Sequence, residues 1–349
     1  MTAPDALPIS AVIPAYNSAP TLARAIASIR AQTRPLAEII VVDDGSSDHT
    51  ARVARNLGAV VVEQANAGSG GARNTGIQTA SQPWIALLDA DDEWLPEKLE
   101  VEWRALQLRP EAGIVCADIG FVTAGGTAAR PVLLDHQSYR KLARIRLEED
   151  VSIVERSAAA HALIAGNFIH PSTVIVRRDL VMPGNLFLGK ADLETTAMCF
   201  EAEDCEWALR LMRFTDLLVV ERTLAVYRVQ LSSQSINQGR MRYGDIVLGR
   251  RVLRNPTLYP AGLGPDVLAI RPLKRREAVM EFLRRGQTSF ARTMLVEAFE
   301  ERHTLGNALR LALATLIDNG LGRGTLEAMA VVWKRVVKGR LPNRVSAPL

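Results

Sequence analysis

Apolar residues in the first third of the chain fall in short continuous runs that alternate with segments of helical spacing. The runs are rich in Ile, Val and Leu without polar alternation, which is typical of strands buried on both faces of a parallel sheet. Strands are predicted at 9–14, 38–43, 59–63, 84–89 and 113–121. Helices are predicted at 21–31, 48–57, 71–80 and 96–108. This succession indicates a βαβ series, so we expect an α/β fold with a mostly parallel sheet flanked by helices.

The rest of the chain has a weaker pattern. Further strands are predicted at 172–177 and 217–229, and helices at 204–214 and around 138–149. In the 204–214 helix, Trp207, Leu211 and Phe214 are expected on one face. Beyond residue 240 only helices and linkers are predicted, with a boundary in the Pro- and Gly-rich segment 255–265. We therefore divide the chain into a βαβ half (1–122), a second half (123–239) and a helical C-terminal region (240–349).

Composition points to a cytoplasmic protein in a reducing compartment. The 349 residues are 48% hydrophobic, enough for a sizeable core. The mean hydropathy is +0.05. Three cysteines are scattered without metal-ligand spacing, and the first residues show no signal-peptide pattern. No apolar run reaches the roughly 18 residues of a membrane span.

Charge is unevenly distributed. The net charge is +4, yet residues 250–349 carry 18 basic and 8 acidic side chains. Within this basic region, apolar residues share one helical face with basic residues beside it: Leu326, Met329, Trp333, Val336 and Val337, flanked by Lys334, Arg335 and Lys338. Such a helix either packs on its own domain or lies on the inner face of a membrane. Nucleic acid is not an expected partner.

Carboxylates lie where three apolar or helical segments begin or end. Asp43 and Asp44 follow one predicted strand, Asp89 and Asp91 follow another, and Glu203 with Asp204 precedes the predicted helix. Open α/β sheets bind ligands at the carboxyl ends of their strands. Side chains two residues apart on an extended segment point the same way, so the two carboxylates of the D-x-D sequence can converge on Mg²⁺ or Mn²⁺. Taken alone, the 203–204 pair also fits an acidic helix start, which the helix dipole favours.

A glycine cluster precedes two further candidates. Gly68, Gly70 and Gly71 lack the spacing of a nucleotide-binding P-loop, but they let the backbone approach a ligand and open a helix that carries Arg73 and Asn74. An arginine there can hold a phosphate with its fork of donors, or it can be solvent-exposed or paired with an aspartate. The five histidines, His170 among them, show no ligand spacing and are expected to be structural or on the surface.

These motifs occur together and in order: AVIPAYNSAPTLARAIASI, EIIVVDDGSSDHT, NAGSGGARNTGI, WIALLDADDEW and AEDCEWALRLM. In this the chain resembles the family 2 inverting glycosyltransferases of the GT-A fold, strongly over 9–100, moderately to about 235 and not beyond. The resemblance implies a Rossmann-like sheet and a nucleotide-sugar donor, most often a UDP sugar. The first half would bind the donor and the second half the acceptor.

The resemblance also implies residue roles. Tyr16 would lie against the base, with Pro14 in the same donor-binding segment; Asp44, with Asp43, would hydrogen-bond uracil. Arg73 would hold phosphate or ribose, Asp89 and Asp91 would bind ribose and the metal ion, and Asp204 would be the general base. Secondary candidates are Glu203, Asn74 and Gln230. Inversion needs a single in-line displacement, so one carboxylate must take the proton of the acceptor hydroxyl, and no covalent nucleophile is required.

One departure from the family pattern concerns a histidine. The family often has Tyr-Arg-x-His after the base, whereas this chain has VYRVQLSSQS with Gln230 at the histidine position. An amide replaces a ligating imidazole poorly, so the metal site or the loop that closes over it is expected to differ. Membrane-spanning helices and the Gln-x-x-Arg-Trp motif of processive synthases are also missing, so we expect one sugar to be added per encounter.

Three functions remain to be compared. The first is a metal-dependent transferase acting on a saccharide or lipid-linked saccharide in polysaccharide or glycolipid biosynthesis. The second, a sugar-phosphate nucleotidyltransferase, needs a basic Gly-rich loop after the first strand, where this chain has PAYNSAP. The third is a non-catalytic nucleotide-sugar or glycan-binding protein that retains the fold. It is permitted by Gln230 and disfavoured by the presence of Asp91 and Asp204.

Overall fold

The computed structural model of the chain describes residues 6–122, 130–182, 184–189, 202–228, 238–285, 287, 291–292 and 294–296. Within these residues, eleven strands form one sheet. Nine lie in the spatial order β3-β2-β1-β4-β10-β6-β11-β9-β8, while β5 pairs with β11 and β7 pairs with β6. The strands are β1 Leu7–Ala15, β2 Leu36–Asp43, β3 Val60–Glu63, β4 Trp84–Leu87, β5 Asp92–Trp94, β6 Ile114–Val122, β7 Arg130–Pro131, β8 Ile145–Glu148, β9 Val151–Val154, β10 Ile175–Arg177 and β11 Leu217–Arg228.

The sheet is mostly parallel at its centre. Strands β3, β2, β1 and β4 are parallel neighbours, and β11 is parallel to β6. Strand β10 is antiparallel to both β4 and β6, so it separates two sets of strands that run in the same direction. The carboxyl ends of β1, β2, β4, β6 and β11 therefore lie at one edge of the sheet, and this edge carries the candidate site. The expected α/β fold is confirmed.

Helices cover both faces of the sheet. They are α1 Ala19–Arg30, α2 Thr50–Asn56, α3 Gly68–Thr79, α4 Lys98–Leu108, α5 Gln137–Arg140, α6 Arg156–Ala165, α7 Arg178–Val181, α8 Glu203–Leu211, α9 Gln238–Arg254 and α10 Leu263–Arg284. Helix α1 illustrates why these residues form a helix that packs on the sheet. Proline stands in its first turn, and Leu22, Ala25, Ile26 and Ile29 follow helical spacing and are all buried.

Two apolar clusters occupy the two faces. On one face, sheet residues such as Val42 and Leu87 pack against Ile77 of α3 and Trp207 of α8. On the other face, Ile13 and its neighbours in the sheet pack against α1 and α4. The helices that carry Arg73 and Asp204 thus share one face of the sheet.

Two predictions of local structure were wrong. The charged stretch around 138–149 is not one helix, because only Gln137–Arg140 is helical and Ile145–Glu148 forms β8. Cross-strand pairing with β9 stabilises a segment whose charged residues also fit a solvated helix. Phe214 does not join the buried face of α8, since the helix ends at Leu211 and Phe214 is 46% exposed. The 217–229 prediction corresponds to one strand with two register shifts.

The residues group into two compact units, Met1–Pro272 and Leu273–Leu349. None of the described helices is long and apolar enough to cross a membrane. Several predictions concern positions outside the described residues: those for Gln230, Cys199, His303 and the amphipathic segment 326–338. They stay predictions.

Candidate active site

The loops after β1 and β2 lie side by side at the carboxyl edge of the sheet. In the strand register, Pro14 is opposite Val42 and Ala15 is opposite Asp43. Asn17 has a φ of 49°, a conformation that asparagine tolerates, and its Oδ1 accepts a hydrogen bond from the Ser47 amide at 2.9 Å. The Tyr16 side chain next to it is 55% exposed. The loop after β1 therefore presents a solvent-exposed aromatic ring whose backbone is held in place.

Asp43 and Asp44 are both buried at the end of β2. Asp43 Oδ1 accepts a hydrogen bond from the Ser46 amide at 2.9 Å. Asp44 accepts three: from Gln64 Nε2 at 2.8 Å, from the Ala67 amide at 2.7 Å and from the Gly68 amide at 2.8 Å. Because Ala67 offers no side-chain cap, this distant carboxylate caps the N-terminus of α3. Both Asp44 oxygens are thus already engaged by the protein.

Arg73 is the buried cation of the site. Its Nη2 donates to Asp89 Oδ1 at 2.7 Å, and its Nη1 lies 3.5 Å from Glu203 Oε1. Its Nε and Nη1 are buried and have no hydrogen-bond partner among the described residues. Burial disfavours the charged form, but Asp89, Glu203 and Asp204 outweigh it and raise the pKa of Arg73. The guanidinium therefore stays charged and retains unused donors.

Asn74 follows Arg73 in the sequence, and its side chain binds another segment of the protein. Its amide exchanges two hydrogen bonds with the Phe187 backbone, both 2.8 Å long. The Arg73 guanidinium lies over the Phe187 ring, 5.3 Å from its centroid. Asn74 thus fixes the segment 184–189 against α3.

Three side chains near the end of β4 form a candidate metal site. Asp89, Asp92 and His170 each offer one ligand atom, and these atoms lie within 4.8 Å of one another. Asp92 Oδ2 accepts a hydrogen bond from the Ser172 hydroxyl and lies 3.7 Å from His170 Nδ1. Asp92 Oδ1 is buried without a hydrogen-bond partner among the described residues. A carboxylate, carboxylate, imidazole set with one orphaned oxygen is suited to a divalent cation.

Neighbouring carboxylates and burial shift the pKa values of the residues around this cluster. Burial and the neighbouring Asp89 carboxylate raise the pKa of Asp91 and of Asp92. Burial raises the pKa of Asp89 less than Arg73 and His170 lower it, so this pKa falls below its usual value. Burial lowers the pKa of His170, which favours the neutral imidazole, the form that binds a metal ion.

Glu203 and Asp204 start α8 opposite Arg73. Glu203 Oε1 accepts a hydrogen bond from the Ser69 hydroxyl at 2.6 Å, which ties α8 to the first turn of α3. Asp204 accepts from Asn167 Nδ2 at 3.1 Å and from the Cys205 amide at 2.7 Å. Burial, followed by the charge of Glu203, raises the pKa of Asp204 to about 7. A carboxylate with this pKa is suited to proton transfer near neutral pH.

The fold brings together residues from distant parts of the chain. Arg73, Asp89, Glu203 and Asp204 interact directly or through their charges. The metal cluster differs from the predicted pair, since it contains Asp92 and His170 and does not include Asp91. Only the third carboxylate of DADD could have suggested Asp92. His170 had no sequence signal, because its position beside the site is set by the pairing of β10 with β4 and β6.

Comparison with known proteins places part of the chain in a known sequence family. Residues 10–163 match the model of glycosyl transferase family 2. The succinoglycan biosynthesis protein ExoO of Rhizobium meliloti (strain 1021) is 37% identical over 128 residues, covering 35% of this chain and 36% of that protein. The UDP-Glc:α-D-GlcNAc-diphosphoundecaprenol β-1,3-glucosyltransferase WfgD of Escherichia coli is 36% identical over 98 residues, covering 27% of this chain and 39% of that protein. The chain thus matches little more than a third of the length of either relative.

Solved structures share the fold. The S. aureus TarS 1–349 complex with UDP-GlcNAc has a TM-score of 0.53 at 18% identity and covers 88% of this chain and 79% of its own. The mannosyltransferase PcManGT of Pyrobaculum calidifontis, with GDP-Man and Mn²⁺, has a TM-score of 0.50 at 19% identity, covering 97% and 90%. At these identities the likeness concerns the fold alone. Residues 10–163 thus match glycosyl transferase family 2, and the described residues adopt a GT-A-type fold.

Proposed function

We propose that the protein transfers a sugar from a nucleoside diphosphate sugar, a UDP sugar in the first instance, to an acceptor hydroxyl with inversion. One observation carries this proposal. The Asp204 carboxylate, with its pKa raised to about 7, lies at the start of α8 opposite the Arg73–Asp89 pair. A base and a diphosphate-binding cation on facing helices are what one in-line displacement requires.

Asp204 acts as the base in this proposal. Its Oδ1 is held by the Cys205 amide and its Oδ2 by Asn167, and each carboxylate oxygen has a second lone pair for an incoming hydroxyl. The acceptor oxygen attacks the anomeric carbon, the bond from that carbon to the diphosphate breaks, and Asp204 takes the hydroxyl proton. The glycosidic bond forms with inverted configuration, and the nucleoside diphosphate leaves with the electron pair.

The donor is bound at the carboxyl ends of β1, β2 and β4. Arg73 has a buried Nη1 and Nε without hydrogen bonds, and these donors match the oxygens of a diphosphate. The exposed Tyr16 ring stacks on the base, with Pro14 beside it. Asp43 and Asp44 lie at the end of β2, where the family resemblance places the uracil contacts. Since Asp44 already caps α3, Asp43 is the carboxylate with more hydrogen-bonding capacity left for the base.

A divalent cation, Mg²⁺ or Mn²⁺, fits the residues Asp89, Asp92 and His170, with Asp91 as the alternative carboxylate of the D-x-D sequence. The buried Asp92 Oδ1 without a hydrogen bond supports this fit. When bound, such a cation neutralises charge that develops on a departing diphosphate. His170 would then supply the imidazole that the sequence lacks at position 230.

The names of two relatives support a proposal for the acceptor class. One is named for succinoglycan biosynthesis and another for glucosyl transfer to a diphosphoundecaprenol-linked sugar. We therefore propose a saccharide or lipid-linked saccharide acceptor, in polysaccharide or glycolipid biosynthesis, used on the cytoplasmic side of the membrane.

The experiment is a transfer assay with a panel of UDP and GDP sugars and lipid-linked or alkyl saccharide acceptors, with Mn²⁺ present. Asp204→Asn should lower kcat about 10²- to 10⁴-fold, because it removes general base catalysis. UDP affinity, measured by calorimetry, should change little. The control is Asp179→Asn, which changes an exposed carboxylate at an ion pair outside the site.

Two outcomes would contradict the proposal. Full turnover in Asp204→Asn would show that another group is the base. Tight UDP binding without turnover of any donor, in wild-type protein, would favour the non-catalytic binding protein instead.

A further inference from the structure

We infer that Glu206, Arg210 and Tyr259 are positioning residues that set the base Asp204 relative to Arg73. This inference rests on the proposed function, because it names what holds that site's geometry. None of the three touches the site directly. Glu206 and Arg210 lie on α8, Tyr259 lies between α9 and α10, and together they form a buried polar hub.

Glu206 is the centre of this hub. Its side chain is fully buried, two residues after Asp204 on the same helix. Arg210 Nε contacts both Glu206 oxygens at 2.9 and 3.0 Å, and Arg210 Nη2 donates to Oε2 at 3.0 Å. The Tyr259 hydroxyl donates to Glu206 Oε1 at 2.9 Å, and Arg251 Nε lies 3.7 Å from the same oxygen. Residues far beyond the family match thus reach the base helix.

Arg210 carries the connection to the other side of the site. Its Nη2 also donates to the Leu186 carbonyl, next to Phe187. The Phe187 ring stacks on Trp207 of α8 with centroids 4.3 Å apart and an interplanar angle of 14°. The segment 185–188 is therefore bound to α8 by one ionic hydrogen bond and one aromatic stack.

The same segment is bound to α3. Asn74 holds the Phe187 backbone through two hydrogen bonds, and Gly70 approaches it so closely that a Cβ would lie 2.2 Å from the Leu188 carbonyl oxygen. The Arg73 guanidinium lies over the same Phe187 ring that stacks on Trp207. A continuous series of contacts thus runs from Tyr259 through Glu206 and Arg210 to the segment Leu186–Phe187, and from there to the helix of Arg73.

The chemistry of the hub indicates that it positions the base Asp204 more than it stabilises the fold. A buried ion pair contributes little net stability, since desolvation offsets much of its attraction. The planar guanidinium, however, has a fixed fork that sets direction as well as distance. Displacing a catalytic group by about 1 Å can cost on the order of 100-fold in rate. The hub therefore affects the chemical step more than donor binding.

Tyr259→Phe is the sharpest test, because the chain offers a matched control. Tyr139 is also a buried tyrosine whose hydroxyl donates to a glutamate, Glu221, at 2.7 Å. Both Tyr→Phe changes remove one such hydrogen bond and should lower Tm similarly. Tyr259→Phe should lower kcat roughly tenfold with unchanged UDP affinity, whereas Tyr139→Phe should leave kcat unchanged. Equal kcat values in both variants would overturn the inference.

Arg210→Lys keeps the charge but removes the two-pronged geometry of the guanidinium. Arg177→Lys, at an exposed ion pair, is the matched control. We expect lower kcat in Arg210→Lys with unchanged donor Kd, and faster hydrogen exchange in α8, at temperatures where the variant is fully folded. Unchanged exchange and kcat would contradict the role of Arg210. Hydrogen exchange needs no turnover, so failure of the proposed function, seen as inactive wild-type protein, is distinguishable from failure of this inference.

Discussion

At the residue scale, the property that matters most is the acidity of one carboxyl group. Asp204 follows another carboxylate, is partly buried, and accepts hydrogen bonds from Asn167 and its neighbour's amide. Burial and Glu203 raise its pKa from 3.8 to about 7. A helix start that would otherwise be an ordinary acidic cap is thereby suited to take a proton.

The pH dependence of activity should reflect this group. Below pH 7 Asp204 holds a proton and cannot accept another, so we expect kcat/KM for the free enzyme to rise with pH, with a midpoint near 7. Initial-rate measurements between pH 5.5 and 8.5 check this. A profile flat down to about pH 5 would show that the base has an ordinary carboxylate pKa.

The same shift affects stability with a definite sign. A folded-state pKa raised above the unfolded value means that the folded state binds more protons between about pH 4 and 7. This contribution to the free energy of unfolding is fully present below the unfolded pKa and is lost as pH rises through about 7. Asp204→Asn should therefore flatten the decline of stability over this range, whereas Asp179→Asn at the surface should not. Urea denaturation at several pH values measures both slopes.

At the scale of elements, helix α3 depends on contacts supplied from elsewhere in the chain. Its glycine-rich first turn has no cap of its own, and Asp44 provides one from the end of β2. Its Gly70 allows close approach of the segment around Leu188. Both features fix the helix that presents Arg73.

Asp44→Ala should destabilise the protein by about 1–3 kcal/mol, since three partly buried hydrogen bonds, two of them to the N-terminus of α3, are lost. Urea denaturation measures the change, and Asp179→Ala serves as the surface control. A change in the free energy of unfolding no larger than that of the control would mean that the cap is dispensable.

Gly70→Ala should lower both stability and kcat. Alanine favours a helix by about 0.5–1 kcal/mol, but overpacking against the Leu188 carbonyl costs about 1–3 kcal/mol and moves the segment away from α3. Gly264→Ala is the matched control, because its Cβ would meet only Leu253 Cδ2 at an ordinary 3.8 Å. Thermal unfolding and turnover of both variants decide between strain and tolerance.

At the scale of the whole molecule, ligand binding should raise global stability. A ligand at about 100 times its Kd stabilises the folded state by about 2.7 kcal/mol. We expect UDP with Mn²⁺ to raise Tm more than UDP alone, and His170→Ala to abolish the metal-dependent part. His49→Ala, at an exposed histidine that starts α2, should retain it.

The choice of carboxylate is tested in the same experiment. If Asp91→Asn and not His170→Ala removes the metal-dependent increment, the cation is held by the D-x-D pair and the Asp89–Asp92–His170 cluster is not the site. A rise in Tm with UDP that is indifferent to metal in all variants would exclude both arrangements.

The sequence alone determined the βαβ order, the parallel strands and the identity of Arg73, Asp89, Glu203 and Asp204 as candidates. These follow from local information, because buried strands and amphipathic helices have short periods and the motifs are contiguous. The helix prediction for 138–149 failed because Ile145–Glu148 pairs with the next strand along the chain, and the charge pattern of one segment does not show that pairing. The inclusion of Asp92 and His170 in one cluster, the capping of α3 by Asp44 and the hub around Glu206 were decided only by the tertiary structure. Each depends on distances between residues separated by more than 20 positions, which only the folded chain sets.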